Sequence, residues 1–186
     1  MATNGTTMKT KDISNLKPKY QFRAVNDDRV KDMRDAIRTN GGKWPFPPVL
    51  LASGFPVHVA ADYRPDKGDE KKGTKDQTHA HKGEVILVGG YNRMEAATRE
   101  GLKEVPAIIE AMDSESAILV RGFLDNKEHG LLPSKGHRDR MIRRLSEAGS
   151  NYATIAELTG LTKASISRIL SGEQGADGAP TSARDP

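Results

Sequence analysis

The chain has 186 residues, a hydrophobic fraction of 35%, a charged fraction of 29% and a formal net charge of +4, enough for one ordinary domain or two small ones with a large share of polar loop. There is no cysteine, which excludes disulfides, thiolate-ligated zinc and cysteine catalysis, and no apolar run approaches the roughly 18 residues needed to span a bilayer. The basic balance favours polyanionic partners, and the polar start from Met1 to Lys11, without an apolar signal core, makes the cytoplasm the expected location.

Residues 1–11 are rich in Thr, Lys, Asn and Gly and read as a loose tail. From Asp12 to about Glu110 the pattern is mixed α and β. A helix is expected over Asp27–Thr39, with Val30, Met33, Ala36 and Ile37 on one face and Asn40-Gly41-Gly42 ending it. Pro45, Pro47 and Pro48 break the chain before a short strand at Val49-Leu50-Leu51, and Val57 to Ala60 suggests another. Residues 62–82 are polar and nearly free of large apolar side chains, as in a long loop; a basic finger on a partner is the functional alternative. His79 and His81 stand two apart there without the companions a metal needs. A strand over Glu84–Val88 runs into Gly89-Gly90, a helix over about Asn92–Glu100 follows, and Val105–Ile109 reads as a strand.

Beyond about Ser114 the chain is helical, with segments at Glu115–Asp125 and Lys135–Ala148; the latter carries Arg138, Arg140, Arg143 and Arg144. Residues 172–186 are rich in Gly, Ala, Asp and Pro and read as a disordered tail. The expected domains are 12–113 and 114–171.

The segment from Tyr152 to Leu170 fits a helix-turn-helix. Ala156 is small where a second helix must cross closely, and Gly160, four residues on, suits a turn of positive φ. Ile155, Leu158, Leu161, Ile166, Ile169 and Leu170 are placed to lock the helices together, and Thr162 to cap the second. The outward face then carries Lys163, Ala164, Ser165, Ser167 and Arg168, short donors and cations suited to base edges and phosphates in a major groove. A packed helical hairpin with no DNA role is the plain alternative.

Gly89-Gly90 delivers a strand into a helix start, where backbone N–H groups and the helix dipole favour an anion. Arg93 in the first turn can add a charge-assisted bond. The same residues equally describe a buried glycine turn with a structural arginine.

The run from Val85 to Ile109 resembles the signature of the ParB/sulfiredoxin-like superfamily: a strand, a Gly-x-x-Arg turn, an Ala-rich helix, Gly-Leu and a "VP-aliphatic" strand. Gly90, Arg93, Ala96, Ala97, Gly101, Leu102, Val105 and Pro106 match. Tyr20-Gln21-Phe22-Arg23 resembles the early "Q-x-R" box, and Asp125-Asn126-Lys127-Glu128-His129-Gly130 the "E-N-x-x-R" box. The likeness spans Asp12 to Leu170. It implies an α+β ParB/sulfiredoxin-like N-terminal domain followed by an all-α domain with the helix-turn-helix.

For function, the resemblance implies sequence-specific binding of double-stranded DNA, in plasmid or phage partition or in transcription regulation, by a homodimer. Partition would add a partner ATPase. Lys163, Ser167 and Arg168 would read the site, with Thr162 and Ser165 beside them and Arg138, Arg143 and Arg144 on phosphates. Many members bind CTP with Mg²⁺; by position, Gly89, Gly90 and Arg93 would hold phosphates, Arg23 would assist and Asn126 would face the metal, with weak CTPase activity as a corollary. Tyr91, Asn92 and Glu95 depart from the family's basic turn, and the dimerisation domain of chromosomal members is not expected after residue 171. Rival readings are a nucleotide hydrolase or nuclease on this fold, or an interaction protein that inhibits a DNA-processing machine.

Overall fold

A computed structural model describes residues 5–21, 24–61, 84–128 and 135–172. These fall into two compact units, the first ending with residue 128 and the second starting at 135. Arg23, residues 62–82 with His79 and His81, His129 and residues 173–186 lie outside the described residues.

The first unit is built on a five-stranded mixed sheet. Its strands are β1 (Thr6–Lys9), β2 (Ile13–Asn15), β3 (Val49–Ser53), β4 (Val85–Gly89) and β5 (Glu104–Ala111), in the order β1-β5-β3-β4-β2. β3 runs antiparallel to β4 and parallel to β5, while β2 is parallel to β4 and β1 antiparallel to β5. The inner strands β3 and β4 read as near-continuous apolar runs because both their faces are covered. Val49, Leu51, Val85, Leu87, Val105 and Ala107 join Met94 and Ala97 in one buried cluster. The alternate residues Leu50, Ala52, Ile86 and Val88 are buried too, as period-two pleating between two layers requires.

Three helices complete this unit. In α1 (Asp27–Thr39) the Asn26 side chain accepts from Arg29 N, and Asp27 and Asp28 complement the helix dipole. Gly42 N–H then bonds the Ile37 carbonyl where the helix ends. α1 meets α2 (Tyr91–Arg99) through Val30, Ile37 and Ala96. Arg34 and Arg38 also reach across to the Glu100 carboxylate, at 2.6 and 2.8 Å. α3 (Glu115–Glu128) packs on β4, with Ile118, Leu119 and Phe123 buried.

Several expectations need correction. Residues 6–9 are not loose: they form β1, held by pairing with β5 although only Met8 is partly buried. The three-residue β2 was likewise not foreseen. Val57–Val59 is a 3-10 turn rather than a strand. Pro56 sets it up, since its carbonyl accepts Val59 N–H at 3.1 Å. Helix 115–128 belongs to the first unit, not the second, because its apolar face is buried on the sheet side.

The second unit is a three-helix cluster of α4 (Lys135–Glu147), α5 (Tyr152–Thr159) and α6 (Lys163–Ser171), each packed on the other two. Met141, Ile142, Leu145, Ile155, Leu158 and Ile166 form its buried core. No described helix is long and apolar enough to cross a membrane.

Candidate nucleic-acid interface

Helices α5 and α6 have only 8 and 9 residues. Isolated helices that short are unstable in water, so caps and packing must hold them. Asn151 caps α5 by accepting Thr154 N–H at 2.9 Å. The helix closes on Gly160, whose φ of 70° and ψ of 13° lie in the left-handed region and whose N–H bonds the Ala156 carbonyl. Thr162 then caps α6, accepting Ser165 N–H at 3.2 Å. Two residues, Gly160 and Thr162, thus turn the chain between the two helices.

Of the six apolar residues expected to lock the pair, Ile155, Leu158 and Ile166 are buried and Leu161, Ile169 and Leu170 half-buried. Ala156 is half-buried, and Ile166 is fully enclosed. The opposite side of α6 presents Thr162, Lys163, Ala164, Ser167 and Arg168 to solvent. Ser165 is half-buried and its hydroxyl lies 3.0 Å from that of Thr162, so it serves the cap. Lys163 and Arg168 are five residues apart, about 7.5 Å along a helix axis.

The described part of this unit carries seven Lys/Arg against three Asp/Glu. That excess of four equals the formal net charge of the whole chain. The arginines of α4 are placed unequally. Arg140 is exposed. Arg143 is exposed and donates to the Leu170 carbonyl at the end of α6, at 3.3 Å, while Arg144 pairs with Glu147 at 2.9 Å. Arg138 is half-buried and lies 3.9 Å from Asp139.

The glycine turn of the first unit has a different character. Gly90 has φ 92°, and a Cβ there would sit 3.0 Å from the Arg93 guanidinium, so the turn wraps around its own arginine. Arg93 is only 7% exposed. Its Nη1 donates to the Pro47 and Pro48 carbonyls at 2.8 and 2.9 Å, and its Nη2 lies 3.9 Å from Asp125 Oδ2. Burial lowers the guanidinium's pKa, and the Asp125 charge partly offsets this. The Asp125 carboxyl abuts Gly89, where an added Cβ would fall 2.6 Å from its Cγ.

Neighbouring side chains are also engaged. Tyr91 donates its hydroxyl to the Leu87 carbonyl at 2.7 Å, and burial raises its pKa well above the usual tyrosine value. Asn92 Oδ1 accepts Asn26 N–H at 2.9 Å. Asn126 turns its amide back onto the Gly122 carbonyl at 2.7 Å. Glu95 pairs with Arg99. Among the described residues no group of three His, Asp or Glu is placed to hold a metal. Among the described residues, which leave out Arg23, the groups at this turn are engaged within the chain and fit a nucleoside triphosphate with Mg²⁺ poorly. The guanidinium is enclosed and balanced by Asp125, and the Glu95 carboxylate is met by Arg99. The sequence offered no sign of the Pro47, Pro48 and Asp125 partners, which come from other elements.

No family model matches the sequence. Two curated relatives from Neisseria meningitidis, one of serogroup A and one of serogroup B, each bear the name "Probable chromosome-partitioning protein ParB". Each is 24% identical over 170 residues, covering 90% of this chain and 49% of the relative. The chain thus spans about half the length of the curated relatives it matches. Among solved structures, the C-terminally truncated chromosome-partitioning protein ParB from Caulobacter crescentus, complexed to the centromeric parS site, is similar with a TM-score of 0.51 at 18% identity, over 89% of this chain and 70% of that one. The Caulobacter protein complexed with CTP-γ-S gives a TM-score of 0.45 at 21% identity, over 93% of this chain and 88% of that one. At 18% identity the likeness to the parS-bound protein is one of fold: the fold of this chain is ParB-like.

Proposed function

We propose that the chain is a sequence-specific DNA-binding protein of ParB type, acting in plasmid or phage partition or in transcription regulation, in which α5, the Gly160 turn and α6 form a helix-turn-helix that docks in a major groove of double-stranded DNA. The observation that carries this is the outward face of α6. Thr162, Lys163, Ala164, Ser167 and Arg168 are exposed together on a helix whose other side is locked by Ile166. A helix face of short donors and two cations matches what base edges and phosphates accept. Arg140 and Arg143 on α4 supply further positive charge within the same compact unit. The partition proteins with similar sequences, and the similar fold of a protein crystallised on parS, support the same reading.

A symmetric site would be read by two copies of the chain, and partition would further engage an ATPase. The test is selection of binding sites from random duplexes, followed by anisotropy titrations with Lys163→Ala and Arg168→Ala. An enriched sequence whose binding both variants weaken is expected. Absence of any preferred sequence, with affinity unchanged in both, would overturn the proposal. Genome-wide recovery of bound DNA then separates the two roles: one cluster near a partition locus, or scattered promoters.

A further inference from the structure

The glycine turn stands in the place where the resemblance implies a CTP phosphate site, yet its geometry is that of a closed latch. We infer that Arg93 is a structural clamp joining the Pro47-Pro48 segment, the β4–α2 turn and α3, and that DNA binding by this chain proceeds without a nucleotide switch. The second half rests on the DNA-binding reading above; the first does not.

Three independent observations converge. The first is the arginine itself. A phosphate ligand must offer N–H groups to solvent, but Arg93 is 7% exposed and one nitrogen is shared between two carbonyls at 2.8 and 2.9 Å. Pro47 and Pro48 lie in a stretch where proline has removed backbone donors, so their carbonyls take side-chain donors: Trp44 Nε1 reaches Pro47 at 3.3 Å, and Arg93 reaches both. A planar guanidinium with several fixed N–H groups is suited to bridging adjacent carbonyls.

The second is the space above the turn. An anion bound at a helix start needs the position over the first N–H groups. Beside the turn, the Asp125 carboxyl crowds Gly89, the last residue of β4, so closely that not even a methyl group fits between them. Asp125 is 8% exposed, and as a carboxylate it would repel a phosphate while balancing Arg93. Gly89 and Gly90 are thus required for contact with this chain's own Asp125 and Arg93.

The third is the set of polar groups around the turn. Asn92 and Asn126 make the internal bonds described above, and Glu95 adds a second carboxylate one turn along α2. A phosphate beside Arg93 would approach the Asp125 carboxylate.

The experiment uses the full chain. Calorimetry and thermal melts are run with CTP and Mg²⁺ at up to millimolar concentration, and DNA titrations with and without them. No saturable heat and no rise in melting temperature are expected, since a ligand of the native state must raise it by mass action. DNA affinity should be the same in both conditions, whereas coupled ligands typically change each other's affinity about 5- to 150-fold. Arg93→Ala and Asp125→Ala should each lower the melting temperature of the first unit. Saturable CTP binding by the unaltered chain, or a shift of DNA affinity on adding CTP, would overturn the inference. Should the DNA selection find no preferred sequence, the functional proposal fails while the calorimetry and melts still decide the role of the turn.

Discussion

Substitution of Gly160 isolates the turn between α5 and α6 from every other contribution. The residue sits at φ 70°, and a Cβ added there meets nothing within 4 Å. Any penalty for Gly160→Ala is therefore conformational and not steric. Holding an L-residue in the left-handed region costs about 1–2 kcal/mol. The reduced freedom of the unfolded chain offsets about 0.4–1 kcal/mol of that, leaving a net loss on the order of 1 kcal/mol. Neither short helix is stable alone, so the loss should be felt across the unit. The assay is native-state amide hydrogen exchange at Ile155, Leu158 and Ile166, the buried positions of the pair. With about 1.4 kcal/mol per factor of ten, Gly160→Ala should speed opening roughly fivefold. Gly160→Asn should do so less, because asparagine visits the left-handed region more readily. Equal effects of Ala and Asn, or greater protection with Ala than with Gly, would refute the argument that this turn requires positive φ.

Other outcomes follow from equally local features. Thr162→Ala removes the acceptor for Ser165 N–H and should cost about 1 kcal/mol of stability of the second unit, with Thr162→Ser nearly neutral, as read by thermal melts. Gly89→Ala should destabilise the first unit by about 1–3 kcal/mol through overpacking against Asp125. Adding Asp125→Ala should make the Gly89 change less costly, and strict additivity of the two would disprove that contact. Lys163→Ala and Arg168→Ala should each reduce the slope of log affinity against log salt by about 0.9 if the lost charge lies on a phosphate. The hydrogen bonds to Glu100 from Arg34, then Arg38, hold its pKa below the usual glutamate value. A depressed folded-state pKa gives stability that is present above the ordinary value of about 4.3 and is lost as pH falls through the lowered one. Glu100→Gln should therefore be less stable than the unaltered chain at neutral pH, and the gap should narrow in acid denaturation profiles.

What the sequence by itself determined was local. α1 was legible because an amphipathic face and a glycine stop lie within the same stretch. The α5–α6 pair was legible for the same reason: Gly160 and Thr162 each act on a backbone group no more than four residues away, and the buried Ile155, Leu158 and Ile166 follow helical spacing. β4 announced itself as a continuous apolar run bounded by glycine.

The tertiary structure alone decided the features whose partners are distant in sequence. β1 carries too little apolar pattern to be a strand on its own, and its backbone is ordered by β5 roughly a hundred residues later. Val57–Val59 has the composition of a strand, yet Pro56 and its carbonyl fold it into a turn. Most of all, Gly89, Gly90 and Arg93 read identically as a phosphate cradle or a structural turn. The difference lies in where one guanidinium points. The carbonyl it finds at Pro47 lies 46 positions back in the chain, and the carboxylate comes from a helix that the sequence assigned to another unit. No local pattern encodes such a meeting, because it depends on three elements being brought together by burial of the sheet on both faces.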